Sequence, residues 1–271
     1  MRTSALGHLV CPADKQALAL EATEQDGTEV IAGTLRCPNG HSYPVQAGVP
    51  RMLPGAEVDQ ASRSTADSFS AKWQRIPAFG HDDASRETYV DWYLQRFGFR
   101  TIDGLRAFLA ERSLVLDAGT GLGRDARLYG ENSSAEVFGI DISRSVDAAW
   151  EHVRHLPNVH LVQADLTQLP FRAGSFDYVA CDQVLHHTPD TAGSFSHLVE
   201  HVAPGGELAV YVYKQKGPVR EFCDDFLRAH YTKSTPEERY EFSEAMALLG
   251  KALTELDVAL EVPKDIPILG I

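Results

Sequence analysis

The sequence predicts an α/β fold: a Rossmann-like, doubly wound, mostly parallel sheet with helices on both faces, preceded by a small β-rich module. Three observations predict it. Short apolar runs ending in an acidic residue recur between residues 112 and 213 and alternate with helix-length segments, the pattern of a parallel sheet covered on both sides. A glycine-rich turn, Gly119-x-Gly121-x-Gly123, follows the first such run and opens a helix. Two Cys-Pro turns, at Cys11-Pro12 and Cys37-Pro38, bracket strand-like segments in the first fifth of the chain.

The first core strand is Leu114-Val115-Leu116, with Asp117 at its carboxyl end. Glycines at 119, 121 and 123 let the backbone approach a ligand where a Cβ would collide. The helix that follows presents N–H groups and a positive dipole end to that ligand. A dinucleotide fingerprint places its third glycine three positions after the second. Here the third comes after two, Arg124 occupies the dinucleotide position, and Asp117 would repel a pyrophosphate. The second strand, residues 136–143, carries Asp141 about 20 residues after the turn, where a carboxylate meets ribose hydroxyls in such sheets. The third, residues 159–165, ends at Asp165, followed by Leu166 and Leu169-Pro170-Phe171. The fourth is 175–182, and the fifth is 206–213 after Pro204-Gly205-Gly206.

With these motifs in order, residues from about 112 to 213 resemble class I S-adenosylmethionine-dependent methyltransferases. The resemblance implies that Asp117, Gly119, Thr120, Gly121 and Gly123 position the methionine part of the cofactor S-adenosyl-L-methionine. It implies that Asp141 holds the ribose hydroxyls with Ile142 beside adenine, and that Asp165 and Leu166 meet the adenine itself. Leu169-Pro170-Phe171, Phe176-Asp177, Leu185-His186-His187 and Pro204-Gly205-Gly206 are similar to motifs of the small-molecule branch. Asp182, which ends the fourth strand on the ligand side of the sheet, and Trp73 upstream of the core are the further residues expected to contact the cofactor.

Composition narrows the partners. A chain of 271 residues can bury a sizeable core and hold more than one domain. No apolar run is long enough to cross a bilayer. Residues 1–7 lack the apolar core of a signal peptide. Four cysteines do not make a disulfide framework at this length, so a reducing cytoplasm is the expected compartment. A net charge of −13 works against nucleic-acid binding, which needs lysine and arginine clusters.

The four expected segments are 1–55, a zinc-ribbon-like domain; 56–111, a linker and helical lid; 112–213, the cofactor-binding core; and 214–271, a helical C-terminal segment. In the first, the stretch 37–53 resembles the zinc-ribbon-like domain that activates some tRNA methyltransferases, and Cys37-x3-His41 is similar to the zinc module of ribosomal RNA guanine methyltransferases. Asp14 stands where both patterns place a second cysteine. Two readings stay open: Cys11, Asp14, Cys37 and His41 hold zinc, or the ribbon has lost its metal and survives by packing. The hard carboxylate in place of a thiolate favours loss.

Residues 54–63 read as a polar linker, and 88–97 as a helix. Phe69, Trp73 and Phe79 lie in a lid segment whose aromatic rings could enclose a sulfonium. Packing of Trp73, Trp92 and Tyr93 onto the sheet is the competing role, and for most of them the favoured one. For catalysis, His187 and then His186 are the candidate bases in the turn after the fourth strand, against a purely structural role. Tyr213, near the end of the fifth strand, is the candidate acceptor contact.

After residue 213 the chain reads as helical to about 256, with Ser234-Thr235-Pro236 as a helix start. The last two strands of the family's usual sheet are not found, and the apolar residues 262–271 look unfinished. The expected activity is methyl transfer to a small-molecule acceptor. Two alternatives stand beside it: an RNA-base methyltransferase that reads RNA with its ribbon, and a non-catalytic cofactor-binding partner subunit. Oligomeric state is not predicted.

Overall fold

The computed structural model describes residues 1–53, 60–231 and 233–256. It divides into two compact units, Met1–Val212 and Tyr213–Ile271.

The first unit begins with a four-stranded antiparallel sheet in sequential order: β1 (Ala19–Asp26), β2 (Glu29–Arg36), β3 (Ser42–Gln46) and β4 (Val49–Pro50). Three helices follow, α1 (Gln60–Arg75), α2 (Asp83–Arg96) and α3 (Ile102–Leu109). The core then alternates β5 (Leu114–Ala118), α4 (Arg124–Asn132), β6 (Glu136–Asp141), α5 (Ser145–Val153), β7 (Val159–Gln163), β8 (Phe176–Asp182), α6 (Thr191–His201) and β9 (Val202–Tyr211). Its five strands are parallel in the order β7-β6-β5-β8-β9. The chain therefore leaves β5 in one direction and returns to its other side at β8, which makes the gap between them a topological switch point.

The two faces of this sheet are covered differently. Val115, Val137, Val159 and Tyr178 pack with Leu105 and Leu109 of α3, Ala126 and Tyr129 of α4, and Ala149 of α5. Leu116, Phe138, Ile140 and Val179 share a core with Leu9, Leu35 and Met52 of the N-terminal sheet region and with Leu198 of α6. The antiparallel module thus takes most of the second face, where doubly wound folds place helices. Burying a large apolar side chain contributes roughly 1.5–3 kcal/mol, so a few such residues rival the ~5–15 kcal/mol that separates folded from unfolded domains. Backbone bonds add register: the Met52 amide donates to Gln163 O at 2.7 Å, and the Val10 amide to Pro170 O at 2.9 Å.

Several boundaries depart from expectation. β9 starts at Val202 and ends at Tyr211, four residues earlier and two residues shorter at its end than the apolar run suggested. Gln60–Arg63, expected as linker, already belongs to α1, whereas 54–59 lie outside the described residues. Helix α3 was not anticipated, although its signals are local: the Thr101 side chain caps the Gly104 amide at 3.1 Å, and Leu105 and Leu109 share one face.

Among its described residues, the second unit holds α7 (Pro218–Tyr231) and α8 (Pro236–Glu255). Thr235 and Glu238 form a reciprocal capping box at the start of α8. The apolar stretch 262–271 lies outside the described residues, and among the described residues no strand follows β9. No described helix is long and apolar enough to cross a membrane.

Candidate functional site

The carboxyl ends of β5, β6 and β7 carry three carboxylates. Asp117, only 3% exposed, accepts from the Thr120 hydroxyl at 2.5 Å and from the Ala126 amide at 3.0 Å. Asp141 accepts from the Gly121 amide at 2.9 Å and from the Ser143 amide and hydroxyl at 2.8 and 2.6 Å. Asp165 caps a short 3-10 turn, Leu166–Gln168, accepting from the Thr167 amide and hydroxyl at 2.8 Å each. Each acid is therefore oriented by the loop that follows it.

The three glycines of the turn lie in the left-handed region, and at Gly119 there is no room for a side chain. Gly119 lies at φ +88°, and a Cβ there would come within 2.3 Å of a Val184 methyl. Gly121, at φ +53°, faces the Trp73 indole, whose nitrogen would be 3.6 Å from an added Cβ. Trp73 on α1 thus lies over the turn, between Phe69 and Phe79 at ring separations of 6.5 and 6.1 Å. The Lys72 ammonium sits 4.2 Å from the Trp73 ring centroid. Tyr93 packs inside, its hydroxyl 2.6 Å from that of Tyr129. Trp92 does not pack on the sheet; it is 54% exposed, with its ring against Tyr89.

Beside Asp141, a cavity of about 570 Å³ opens between α1 and the loop after β6, lined by Leu53, Ser70, Ile142, Ser143, Arg144 and Gln163. That volume suits a nucleoside-sized ligand. Ser70 and Gln163 were not singled out from the sequence. Their placement depends on α1 and β7 meeting in space, which no local motif announces.

Electrostatics sharpen the picture. Burial, reinforced by the charge of Asp125, pushes the Asp117 carboxyl well above the usual range, while Thr120 and the Ala126 amide oppose the rise. Burial likewise raises Asp125 to about 6, with Arg124 opposing the shift and Asp182 adding to it. Burial raises Asp141 too, against the hydrogen bonds of Ser143 and Gly121. Acids held this way gain from a cation placed among them. Asp182 is engaged otherwise: the Arg96 guanidinium donates to both of its oxygens at 2.6 and 2.5 Å and lies 4.2 Å from the Tyr211 ring centroid.

His186 and His187 occupy the turn Leu185–His187 after β8. The His187 ring meets Phe69 edge-on at 5.0 Å. Burial, with His186 and Lys72 nearby, lowers its pKa to about 4, so the imidazole is neutral at neutral pH. Burial lowers His186 as well. Tyr213 falls past the end of β9, in the second unit, and is 50% exposed.

The N-terminal module gathers a second cluster. One donor atom from each of Cys11, Asp14, Cys37 and His41 lies within 4.8 Å of the others. Cys11 Sγ is 3.4 Å from His41 Nδ1, Cys37 Sγ is 3.1 Å from Asp14 Oδ2, and His41 Nδ1 is 3.3 Å from the same oxygen. The Asn39 amide donates to Cys37 Sγ at 3.4 Å. Cys11, Cys37 and Asn39 donate to Asp14 and hold its carboxyl well below its ordinary range.

Residues 116–210 match the family model described as a methyltransferase domain. Phosphoethanolamine N-methyltransferase 2 of Caenorhabditis elegans is 31% identical over 129 residues, 45% of this chain and 30% of that protein. Trans-aconitate 2-methyltransferase of Deinococcus radiodurans is 36% identical over 111 residues, 40% of this chain and 42% of that protein. A demethylmenaquinone methyltransferase of Staphylococcus haemolyticus is 36% identical over 74 residues, 27% of this chain and 31% of that protein. The chain thus spans less than half the length of each of these curated relatives.

Proposed function

We propose that this chain, whose residues 116–210 match a methyltransferase domain, is a class I S-adenosylmethionine-dependent methyltransferase that transfers a methyl group to a small-molecule acceptor. The observation that carries this reading is the row of three oriented acids, Asp117, Asp141 and Asp165, at the ends of the adjacent strands β5, β6 and β7, beginning beside the switch point. Relatives named for phosphoethanolamine, trans-aconitate and demethylmenaquinone support a small acceptor.

In this reading Asp141 grips the ribose hydroxyls, Ile142, Asp165 and Leu166 receive the adenine, and Asp117 with the turn Gly119–Gly123 receives the methionine end. When bound, the cofactor supplies an electrophilic methyl on a sulfonium. The protein's part is alignment and exclusion of water. Trp73 and Phe69 close the cleft above Gly121 and His187. For a hydroxyl acceptor, neutral His187 would take the proton as the oxygen meets the methyl; an ammonium acceptor would give up its proton to His187 first, since it has no lone pair until then. Asp182 orients this end of the sheet through Arg96. Incubation with radiolabelled cofactor and separate metabolite and RNA pools tests the reading. Label in a metabolite supports it, and label confined to RNA overturns it.

We further infer that the N-terminal module is a zinc ribbon that has kept its metal. The spacing alone favours loss, but three of the six donor separations, at 3.1–3.4 Å, with all of them within 4.8 Å, favour retention. A tetrahedron with bonds of about 2.0–2.3 Å has edges of roughly 3.3–3.8 Å, close to those separations. Bound zinc would cross-link two turns of a module with a small core.

A further inference from the structure

Resting on both readings above, we propose that the first knuckle of the ribbon positions the adenine loop of the cofactor site through Lys15, so that metal and cofactor binding are coupled.

The loop between β7 and β8 holds Asp165 and Leu166, yet it contains little regular structure: a single 3-10 turn, Leu166–Gln168. Its first half is tied to the core by the Ala164 amide, which donates to Asp141 O at 3.0 Å. Its second half is tied to the N-terminal module instead. The Lys15 ammonium donates to Leu169 O at 2.7 Å, and the Val10 amide to Pro170 O at 2.9 Å. Leu166, Leu169 and Phe171 also share a buried cluster with Leu9 and Cys11.

The segment that makes these bonds is the turn that carries two of the four metal donors. Cys11 and Asp14 lie in a tight loop closed by Lys15 N to Cys11 O at 2.8 Å and Cys11 N to Gln16 O at 2.9 Å. Lys15 itself sits in the left-handed region at φ +59°, a conformation that the closed turn imposes. Metal that fixes Cys11 and Asp14 therefore fixes the backbone from which Lys15 reaches Leu169. A second contact runs parallel to it: the Met52 amide holds Gln163 O at 2.7 Å, and the Gln163 side chain donates to Ile142 O at 3.0 Å. Ordering the loop beforehand removes an entropic cost that the cofactor would otherwise meet on binding. Lys15 is thus a positioning residue.

Coupling between two binding sites is reciprocal, and typical values begin at about fivefold. The test uses the full chain. S-adenosylhomocysteine is titrated by calorimetry into zinc-loaded and chelator-stripped protein, and zinc affinity is measured by competition with a chromophoric chelator, with and without saturating S-adenosylhomocysteine. The expected result is an S-adenosylhomocysteine Kd about fivefold or more weaker without zinc, and a zinc Kd tightened by the same factor by the nucleoside. Lys15→Met is expected to bind both ligands with a factor clearly smaller than that of the wild type, the Val10–Pro170 contact keeping the remainder, and Lys15→Arg to restore it. Equal S-adenosylhomocysteine affinity with and without zinc overturns the coupling and leaves both site assignments standing. Failure to take up zinc overturns the metal assignment together with the coupling. Absence of nucleoside binding to zinc-loaded protein overturns the cofactor reading. Should stripping unfold the module, the Lys15 variants in the zinc-loaded state decide: Kd values for S-adenosylhomocysteine equal to wild type in Lys15→Met overturn the positioning role.

Discussion

The Asp141 carboxylate on β6 accepts the backbone amide of Gly121, 2.9 Å away in the turn that follows β5. One side chain thereby ties two neighbouring strand ends together, and its other oxygen is held by Ser143. The acid assigned to the ribose and the turn assigned to the methionine are a single hydrogen-bonded unit.

Asp141→Asn keeps the shape and removes the charge. A hydrogen bond to a charged group contributes about 1.5–3 kcal/mol, so S-adenosylhomocysteine affinity should fall roughly tenfold to a hundredfold. Calorimetry reads this directly, and unchanged affinity would remove Asp141 from the cofactor site.

Gly119→Ala should damage both fold and binding. Its φ of +88° disfavours a side chain, and the new methyl would meet Val184 at 2.3 Å. Left-handed strain alone costs about 1–2 kcal/mol. Thermal unfolding should show a lower Tm, and Val184→Ala in the same chain should recover the steric part but not the strain.

Protonation of Asp125 supplies a pH test. Its folded pKa, about 6, lies above the reference 3.8, so folding favours the protonated acid. That contribution is present at low pH and is lost as pH rises from about 4 through 6. In the proposed reading the cofactor's methionine ammonium lies at Asp117, whose charge interacts with that of Asp125, and a cation there favours the ionised carboxylate. The rise in Tm caused by S-adenosylhomocysteine should therefore grow as pH passes through 6, and Asp125→Asn should flatten that dependence.

His187→Gln should separate chemistry from binding. General bases contribute about 10²–10⁴-fold, so kcat for a hydroxyl or ammonium acceptor should fall at least about a hundredfold while S-adenosylhomocysteine affinity holds. Since the imidazole titrates near 4, wild-type activity should show no ionisation from this residue between pH 6 and 8. A small kcat effect would return His187 to a structural role.

Cobalt substitution probes the ribbon. Cobalt(II) held by two thiolates, an imidazole and a carboxylate in a tetrahedral site gives intense visible bands. One equivalent should produce them, and Cys37→Ser should abolish them without removing S-adenosylhomocysteine binding.

Much of this was legible locally. The strands ending at Asp117, Asp141 and Asp182 and the turn at Gly119–Gly123 announce themselves by short apolar runs and glycine spacing, and the boundaries of β5, β6 and β8 fell within two residues of expectation. What stayed hidden was tertiary. Nothing in residues 1–53 indicates that Leu9, Leu35 and Met52 would cover the sheet face of Phe138 and Ile140. Pairing of Arg96 with Asp182, 86 positions apart, leaves no trace in either local sequence. Trp92, read as packing, is exposed because its helix turns Tyr93 inward instead. Asp14, which broke the knuckle pattern on paper, lies within 4.8 Å of the other three donors once β1 and β2 bring the two turns together.

The most direct measurement is calorimetry of the intact chain with S-adenosylhomocysteine, beside nicotinamide and flavin dinucleotides as controls. One site per chain for S-adenosylhomocysteine, weakened by Asp141→Asn, with no heat from the dinucleotides, is the predicted result. No binding of S-adenosylhomocysteine or its methylated parent, with a dinucleotide saturating the same cleft, would contradict it.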